Sequence, residues 1–380
     1  MMASLALLVS LSLGFLNTAP LPLRLQCVPS DTDTVMVELH TNLEFWNNLV
    51  DLGFLMDRMG AVIRVQHLQK LYRQADPTIN LVLDQSLDYF ALSWAGISVA
   101  FGQRYLGSLQ VPRDLLRLLA YGNAFDSTYT FNDTRAVSLL YRYLAAGVTQ
   151  EVHLGRVPVR AGLGVSMLIG NRLDLVDTVR GSLLTNQEGI TAEVDIRTAT
   201  SNTGYGLALS GGLEARPFPG LRLGMSVGDF PGVMRWRDFR VVHQLFYADS
   251  AYINQTHREA LEDYQTQQNL FLPVQTCGYL ELERHRWALR LDLRQLLFSS
   301  LPHINNWAVG GEVRIQPIHH FWITLRGIWA RVQGPGAILR FQRRIGALNM
   351  LLSVGTQAGL PLKNKGFIAG ITLTYHHRLL

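Results

Sequence analysis

The sequence predicts an all-β protein, a closed antiparallel transmembrane β-barrel of roughly 14 strands. Between Val157 and Met167 every odd position is apolar, and the positions from Arg160 to Ser166 that alternate with them are small or polar. This period of two gives a strand one apolar and one polar face, and it recurs to the C-terminus. Only 17% of residues are charged, against roughly 25% in soluble domains, yet no apolar run reaches the ~18 residues of a membrane-spanning helix. These observations favour a barrel with apolar-out, polar-in walls.

The N-terminus is predicted to be a signal peptide. The apolar run from Leu5 to Leu16 is too short to span a membrane and fits the core of a signal sequence. The best cleavage site, Ala19, is followed by Pro20, which signal peptidases disfavour, so a buried helix of a soluble domain is the alternative. The predicted division is a signal peptide at 1–19, an N-terminal segment at 20–80 and an outer-membrane β-barrel at 81–380.

The N-terminal segment is predicted to contain a very apolar helix. It runs from Leu43 to about Met59, with Asn42 as its N-cap and Gly60 as its end. Apolar side chains nearly surround it, so it needs burial on most sides. Two positions satisfy that need: a plug inside the barrel lumen, or packing on the periplasmic mouth.

The first clear hairpin pairs Leu81–Trp94 with Ile97–Leu106 through a tight turn at Ala95 and Gly96. A helix is predicted at Arg113–Tyr121, because Pro112 suits a first helical turn and Gly122 a helix end. The later strands are predicted at Ala136–Val152, Val157–Leu168, Ile190–Arg197, Tyr205–Ala215, Leu221–Gly228, Arg235–Phe246, Leu270–Glu283, Trp287–Leu296, Trp307–Ile315, Phe321–Val332, Ala337–Arg343, Leu348–Gln357 and Phe367–Tyr375.

The connections between strands alternate between short turns and long polar stretches. The longest are Asn171–Glu188 and Tyr247–Gln268, the second with a predicted helix at Thr256–Gln267. Short periplasmic turns and long external loops are typical of outer-membrane barrels.

Several function classes are disfavoured. The net charge of +5 comes almost wholly from scattered arginines, so no basic patch indicates nucleic-acid binding. Cys27 and Cys277 match no zinc or redox spacing, and adjacent histidines on a strand point to opposite faces. A phosphate loop and a G-x-S-x-G elbow are also missing, and His243 has no evident catalytic partner. The sequence therefore predicts no enzyme, no metal site and no cofactor.

The candidate functional residues are charged side chains on the polar, lumen-facing strand faces. Two hypotheses remain open for them: oppositely charged pairs that hold a wet lumen together, or an arginine ring that selects anions or carboxylates. The lumen-facing candidates are Arg160, Glu214, Arg290, Asp292, Arg294, Glu312, Arg314 and Arg326.

Two segments, Leu92–Asn123 and Leu223–Trp236, resemble an uncharacterised family of outer-membrane β-barrels from Bacteroidota and related bacteria. That family is similar to the PorP, PorV and fatty-acid-transporter (FadL) barrels. In the second segment, Asp229 is expected to end a strand, Gly232 to complete a turn with Pro231, and Trp236 to begin the next strand at the membrane interface. Pro231 departs from the family pattern, as does a final Leu380 where such barrels often end in Phe.

The resemblance implies a bacterial outer-membrane location, with membrane lipid as a partner. It favours passage or binding of a small hydrophobic or amphipathic molecule. The first alternative is a structural or adaptor barrel that contacts proteins of a surface secretion or motility system. The second alternative, which the residue pattern itself leaves open, is a soluble β-sandwich.

Overall fold

The computed structural model describes residues 34–50, 54, 64–187, 189–249, 255–297, 306–330, 334–357 and 365–378. The predicted signal peptide at 1–19 and Cys27 lie outside these ranges. No helix within them is both long and apolar enough to cross a membrane.

The described chain forms one antiparallel sheet of 18 strands with two helices at its rim. In chain order the elements are β1 (Thr34–Asn47), α1 (Val65–Gln74), β2 (Thr78–Trp94), β3 (Ile97–Pro112), α2 (Arg113–Tyr121), β4 (Ser127–Thr130), β5 (Arg135–Leu154), β6 (Val157–Asn186), β7 (Gly189–Ser201), β8 (Thr203–Phe218), β9 (Leu221–Gly228), β10 (Val233–Asp249), β11 (Gln255–Phe271), β12 (Val274–Arg284), β13 (Trp287–Leu297), β14 (Asn306–Ile318), β15 (Phe321–Ala330), β16 (Gly334–Ile345), β17 (Leu348–Gln357) and β18 (Gly366–Arg378).

The sheet closes on itself, because β1 pairs with both β2 and β18, with Thr34 opposite Arg378. Some consecutive strands lie end to end and fill a single strand position, or lane, in the wall. For example, β6 pairs with β8 along its first half and with β7 along its second half. The pairs β4–β5, β7–β8, β9–β10 and β11–β12 are continuous in this way, so the 18 strands make 14 lanes. Closure leaves no sheet edge in lipid. The predicted closed antiparallel barrel is confirmed.

The outer face of the barrel is apolar. Leu163, Leu207 and Leu325 are 69%, 60% and 60% exposed, whereas Ser166 faces inward and is buried. Apolar-out and polar-in is the arrangement of a membrane barrel and the reverse of a soluble sandwich. Toward the loop end the apolar band gives way to polar side chains, where the Arg237 guanidinium lies 4.8 Å from the centre of the Tyr205 ring on the outer face.

The two ends of the barrel differ. Tight turns lie at one end, among them Ala95–Gly96, where both residues have positive φ and where the predicted turn is confirmed. The helices lie at the opposite end, and α2 coincides with the predicted helix at Arg113–Tyr121. There Leu71 of α1 packs with Leu116 of α2 in a small apolar cluster. The turn end corresponds to the periplasmic side of an outer-membrane barrel and the helix end to the outside.

The predicted helix from Leu43 is wrong over its first part, since β1 continues to Asn47 as a strand. Leu43 pairs with Gln85 of β2 on one side and with Ala369 of β18 on the other, and this two-sided ladder overrides the local helical pattern. Asn42 lies within β1. The Asn47 Oδ1 accepts hydrogen bonds from the backbone N–H groups of residues 49 and 50, at 2.9 and 2.6 Å. Residues 51–53 and 55–59 of the predicted helix lie outside the described ranges.

Two predicted loops are also strands. The helix predicted at Thr256–Gln267 is part of β11, and the polar stretch Asn171–Glu188 is mostly the second half of β6. These strands continue past the apolar band, where both faces are polar and the period-two signal that identifies a strand is lost.

Candidate functional site

The half of the lumen nearer the helices contains a large apolar cluster, here called the upper apolar cluster. Its side chains come from inward faces of seven strands and from the residue between β11 and β12, and they are almost completely removed from solvent. The members are Leu106, Val137, Leu139, Tyr141, Leu168, Leu173, Ala199, Ala208, Met234, Trp236, Phe239, Val241, Leu270 and Leu272. An interior that is apolar toward the outside is unlike the water-filled lumen of an open porin.

Trp236 lies at the heart of this cluster and is 0% exposed. The prediction that it stands at the membrane interface is therefore wrong. Trp236 pairs with Gly204 of β8, which in turn pairs with Gly170 of β6. A Cβ at Gly170 would lie 2.5 Å from Cη2 of the indole, and one at Gly204 would lie 2.9 Å from Cδ2. The ring thus lies along the inner wall on two glycines in register, here called the glycine seat.

The glycine seat gives a direct prediction. Gly170→Ala places a methyl group against the indole and is expected to lower the free energy of unfolding by about 1–3 kcal/mol, the usual cost of overpacking. Gly327→Ala is the matched control, because nothing lies within 4 Å of a Cβ there. Urea titration of the barrel in detergent measures both, and equal effects of the two substitutions would contradict the packing argument.

A break in the wall lies below Trp236, between β9 and β10. Asp229 has a φ of 57°, and Gly232 allows the backbone to pass close to the Asp229 carbonyl, since a Cβ there would be 2.7 Å from that oxygen. The predicted strand end at Asp229 is found one residue earlier, at Gly228. The expected turn is found at residues 230–231, and the next strand, β10, starts at Val233 and continues in the same lane as β9.

The break is tied to β2 and β3 through Arg104. The guanidinium of Arg104 makes two hydrogen bonds to Asp84, at 3.2 and 2.9 Å, and lies 3.6 Å from the Asp229 carboxylate. Arg104 and Asp84 were not predicted as lumen residues. The alternation of β3 could have identified Arg104, which occupies an inward position between outward neighbours.

The lower half of the lumen is lined by charges from β12 to β16, here called the lower ionic network. Asp292 and Arg326 are 2.5 Å apart, with side chains only 1% and 4% exposed, and Arg340 is 2.8 Å from Glu312. Arg290 and Arg314 both approach Glu281, at 3.5 and 3.4 Å, and Arg294 lies 3.8 Å from Asp292. The members are Glu281, Arg290, Asp292, Arg294, Glu312, Arg314, Arg326 and Arg340.

Six of the eight predicted lumen residues are therefore gathered in one network. Glu214 joins it indirectly: its carboxylate accepts a hydrogen bond from Tyr279 at 2.5 Å, and the Arg290 guanidinium lies 4.0 Å from the centre of the Tyr279 ring. Arg160 pairs with Glu214 across β6 and β8 and is 3.3 Å from Glu151. Glu281 and Arg340 were missed, although each stands at an inward position of an alternating strand.

The geometry agrees with the first of the two sequence hypotheses, that of paired charges. Every arginine of the network lies within 4.0 Å of a carboxylate. Its positive charge is therefore largely balanced by a partner within the protein. Selection of anions by an arginine ring stays a prediction. The network holds five arginines and three carboxylates, which leaves an excess of positive charge by two.

The other candidate chemistry is sparse. His243 contacts Asp195 across β10 and β7. Cys277 is buried. Within the described ranges, no three or more His, Cys, Asp and Glu side chains are grouped to hold a metal ion.

Solved hydrocarbon channels share this fold. The TodX deltaS2S3 mutant monoaromatic hydrocarbon channel aligns with a TM-score of 0.54 and 9% identity, over 94% of this chain and 93% of that one. The Ralstonia pickettii toluene transporter TbuX aligns with a TM-score of 0.51 and 9% identity, over 94% of each chain. A Pseudomonas aeruginosa FadL homologue aligns with a TM-score of 0.46 and 8% identity, over 91% of this chain and 90% of that one. At such identities the likeness concerns the fold alone.

Sequence comparison adds no relative. No family model matches the chain, and no curated protein sequence matches it. The expected membership of a PorP- and PorV-like Bacteroidota family therefore has no support from sequence. The architecture does establish the location: a closed barrel with an apolar outer band belongs to the bacterial outer membrane.

Proposed function

We propose that the chain is an outer-membrane channel for small hydrophobic molecules. The observation that carries the proposal is the upper apolar cluster, which lines the lumen at the end that faces outward and offers an apolar solute a place to leave water. The cluster draws its members from seven strands, so it is a property of the barrel interior and not of one loop.

The lower ionic network supports an apolar solute over an ion. Its arginines are held by carboxylates, so most of its charge is already balanced and little is left to attract an ion. An apolar solute gains its binding free energy in the upper apolar cluster instead. The proteins that share the fold include a monoaromatic hydrocarbon channel and a toluene transporter, and both kinds of molecule are small and hydrophobic.

The outer band and the lower ionic network have roles that are usual in a membrane barrel. The apolar outer band contacts membrane lipid, and the function needs no catalytic residue, cofactor or metal ion. The lower ionic network serves as a cross-linked lining that fixes the strand register of the lower wall.

Toluene uptake into proteoliposomes tests the proposal. Ala208, which is buried in the upper apolar cluster, and Leu209, which is 49% exposed on the outer face, are neighbours on β8. We expect the wild-type barrel to raise toluene uptake over empty vesicles. Ala208→Phe obstructs the interior and is expected to reduce that uptake at least fivefold, whereas Leu209→Phe leaves it unchanged. Uptake no greater than that of empty vesicles would refute the channel.

An adaptor role is the second candidate, and one observation favours it. Leu119 and Phe125, in and after α2, are both 60% exposed at the outward end, where they could contact another protein. Replacing both by serine separates the two candidates. The adaptor predicts loss of a co-purifying membrane protein with toluene uptake unchanged, and a channel alone predicts no change in either.

A further inference from the structure

The indole N–H of Trp236 is a buried donor without an acceptor among the described residues. The whole side chain is 0% exposed. Buried polar groups in proteins are nearly always hydrogen-bonded, and an isolated unsatisfied donor calls for an explanation such as a missing ligand. Because Trp236 belongs to the upper apolar cluster, this donor lies inside the proposed path.

The glycine seat covers the six-membered ring of the indole and not the N–H. A Cβ at Gly170 would lie within 2.9 Å of Cη2, Cζ3 and Cζ2, and one at Gly204 within 3.1 Å of Cδ2, Cε3 and Cζ3. Nε1, in the five-membered ring, is not among the atoms nearest to either position.

The cluster members around the donor are almost wholly hydrocarbon. Apart from Trp236 itself, only Tyr141 among them has a side-chain oxygen or nitrogen. A bridging water needs two to four polar partners, and the cluster members supply one such side chain besides Trp236. A ligand that brings its own acceptor would satisfy the donor.

We propose that the upper apolar cluster takes a small hydrophobic molecule that carries one neutral acceptor oxygen, such as a ketone, ester or ether, and that this oxygen accepts a hydrogen bond from Trp236 Nε1. The inference rests on the proposed channel function and narrows its substrate class. A neutral acceptor fits because the arginine next to the cluster is already balanced: Arg104, which interacts with cluster member Tyr141, is held by the carboxylates of Asp84 and Asp229.

Two probes of similar shape test the proposal, acetophenone and ethylbenzene, which differ in the carbonyl oxygen. Their uptake is measured with the full-length barrel in proteoliposomes and divided by their uptake in empty vesicles. Trp236→Phe keeps an aromatic ring and removes the N–H. Trp46→Phe is the matched control, because Trp46 also has a buried N–H without an acceptor but lies outside the cluster, on β1. Heat-dependent mobility in SDS gels verifies that each variant is folded.

We expect Trp236→Phe to lower the ratio of acetophenone uptake to ethylbenzene uptake about fivefold, the effect of losing one neutral hydrogen bond. Trp46→Phe is expected to leave this ratio unchanged. An equal loss for both probes in Trp236→Phe, or the same fall of the ratio in Trp46→Phe, would overturn this inference. If the wild type takes up ethylbenzene but Trp236→Phe does not change the uptake of acetophenone relative to it, this inference fails and the channel stands. If the wild type takes up neither probe, the proposed channel fails as well.

Discussion

Arg326→Met is expected to lower the free energy of unfolding by about 3–5 kcal/mol. The substitution leaves the Asp292 carboxylate, 1% exposed, without its closest cation in the lower ionic network. Methionine fills a similar length of lumen, so the loss reflects the unbalanced charge and not a cavity. Urea titration of the detergent-solubilised barrel measures the effect.

Two further variants define the cause. Arg172→Met removes an arginine that is 64% exposed and lies 2.6 Å from Asp174, and we expect a change of at most about 1 kcal/mol there, because exposed ion pairs contribute little. The double substitution Asp292→Leu with Arg326→Met removes both charges and should recover much of the lost stability. A double variant less stable than Arg326→Met would argue against a charge imbalance.

Leu139→Ala is expected to lower the free energy of unfolding by about 2–5 kcal/mol, because it opens a cavity in a closely packed region. Leu139 is 0% exposed in the upper apolar cluster. Leu144 lies on the same strand, is 44% exposed and faces the membrane, where lipid chains can fill the space that a smaller side chain leaves.

The comparison of Leu139→Ala with Leu144→Ala therefore measures how solid the interior is. A much larger effect at Leu139 indicates a packed cluster that ligands must part. If the two substitutions cost the same, the cluster is loosely packed and already accessible.

The barrel itself could be predicted from sequence, because alternation along β6 or β13 requires no knowledge of the partner strand. The first strand, β1, could not be predicted in this way. Leu43 and Trp46 lie in a run whose apolar residues also fit a helix, and only pairing with β2 and β18 decides between the two. Local pattern is a weak guide where neighbours on both sides supply the hydrogen bonds.

The candidate site could likewise be predicted only in part. Inward charges such as Asp292 and Arg326 follow from the strand face, so they were predicted singly, but their contact depends on the relative register of β13 and β15. Trp236 was misplaced because an aromatic residue near a strand end is common at interfaces. Its true position depends on Gly204 and Gly170 lying beside it on two other strands, which no local pattern reveals.

The Tyr205 and Arg237 pair on the outer face marks the height of the proposed passage. Tyr205 follows Gly204 and Arg237 follows Trp236 in the sequence, and aromatic and basic side chains of this kind mark the lipid headgroup layer. On the inner side of the wall, the heart of the upper apolar cluster therefore lies level with the headgroups, above the hydrocarbon. An apolar solute would lose its hydration shell there, before reaching membrane depth, and its free energy would fall steeply at entry and change little afterwards. The direction of net transport would then follow the concentration gradient, without any step that draws on an energy source.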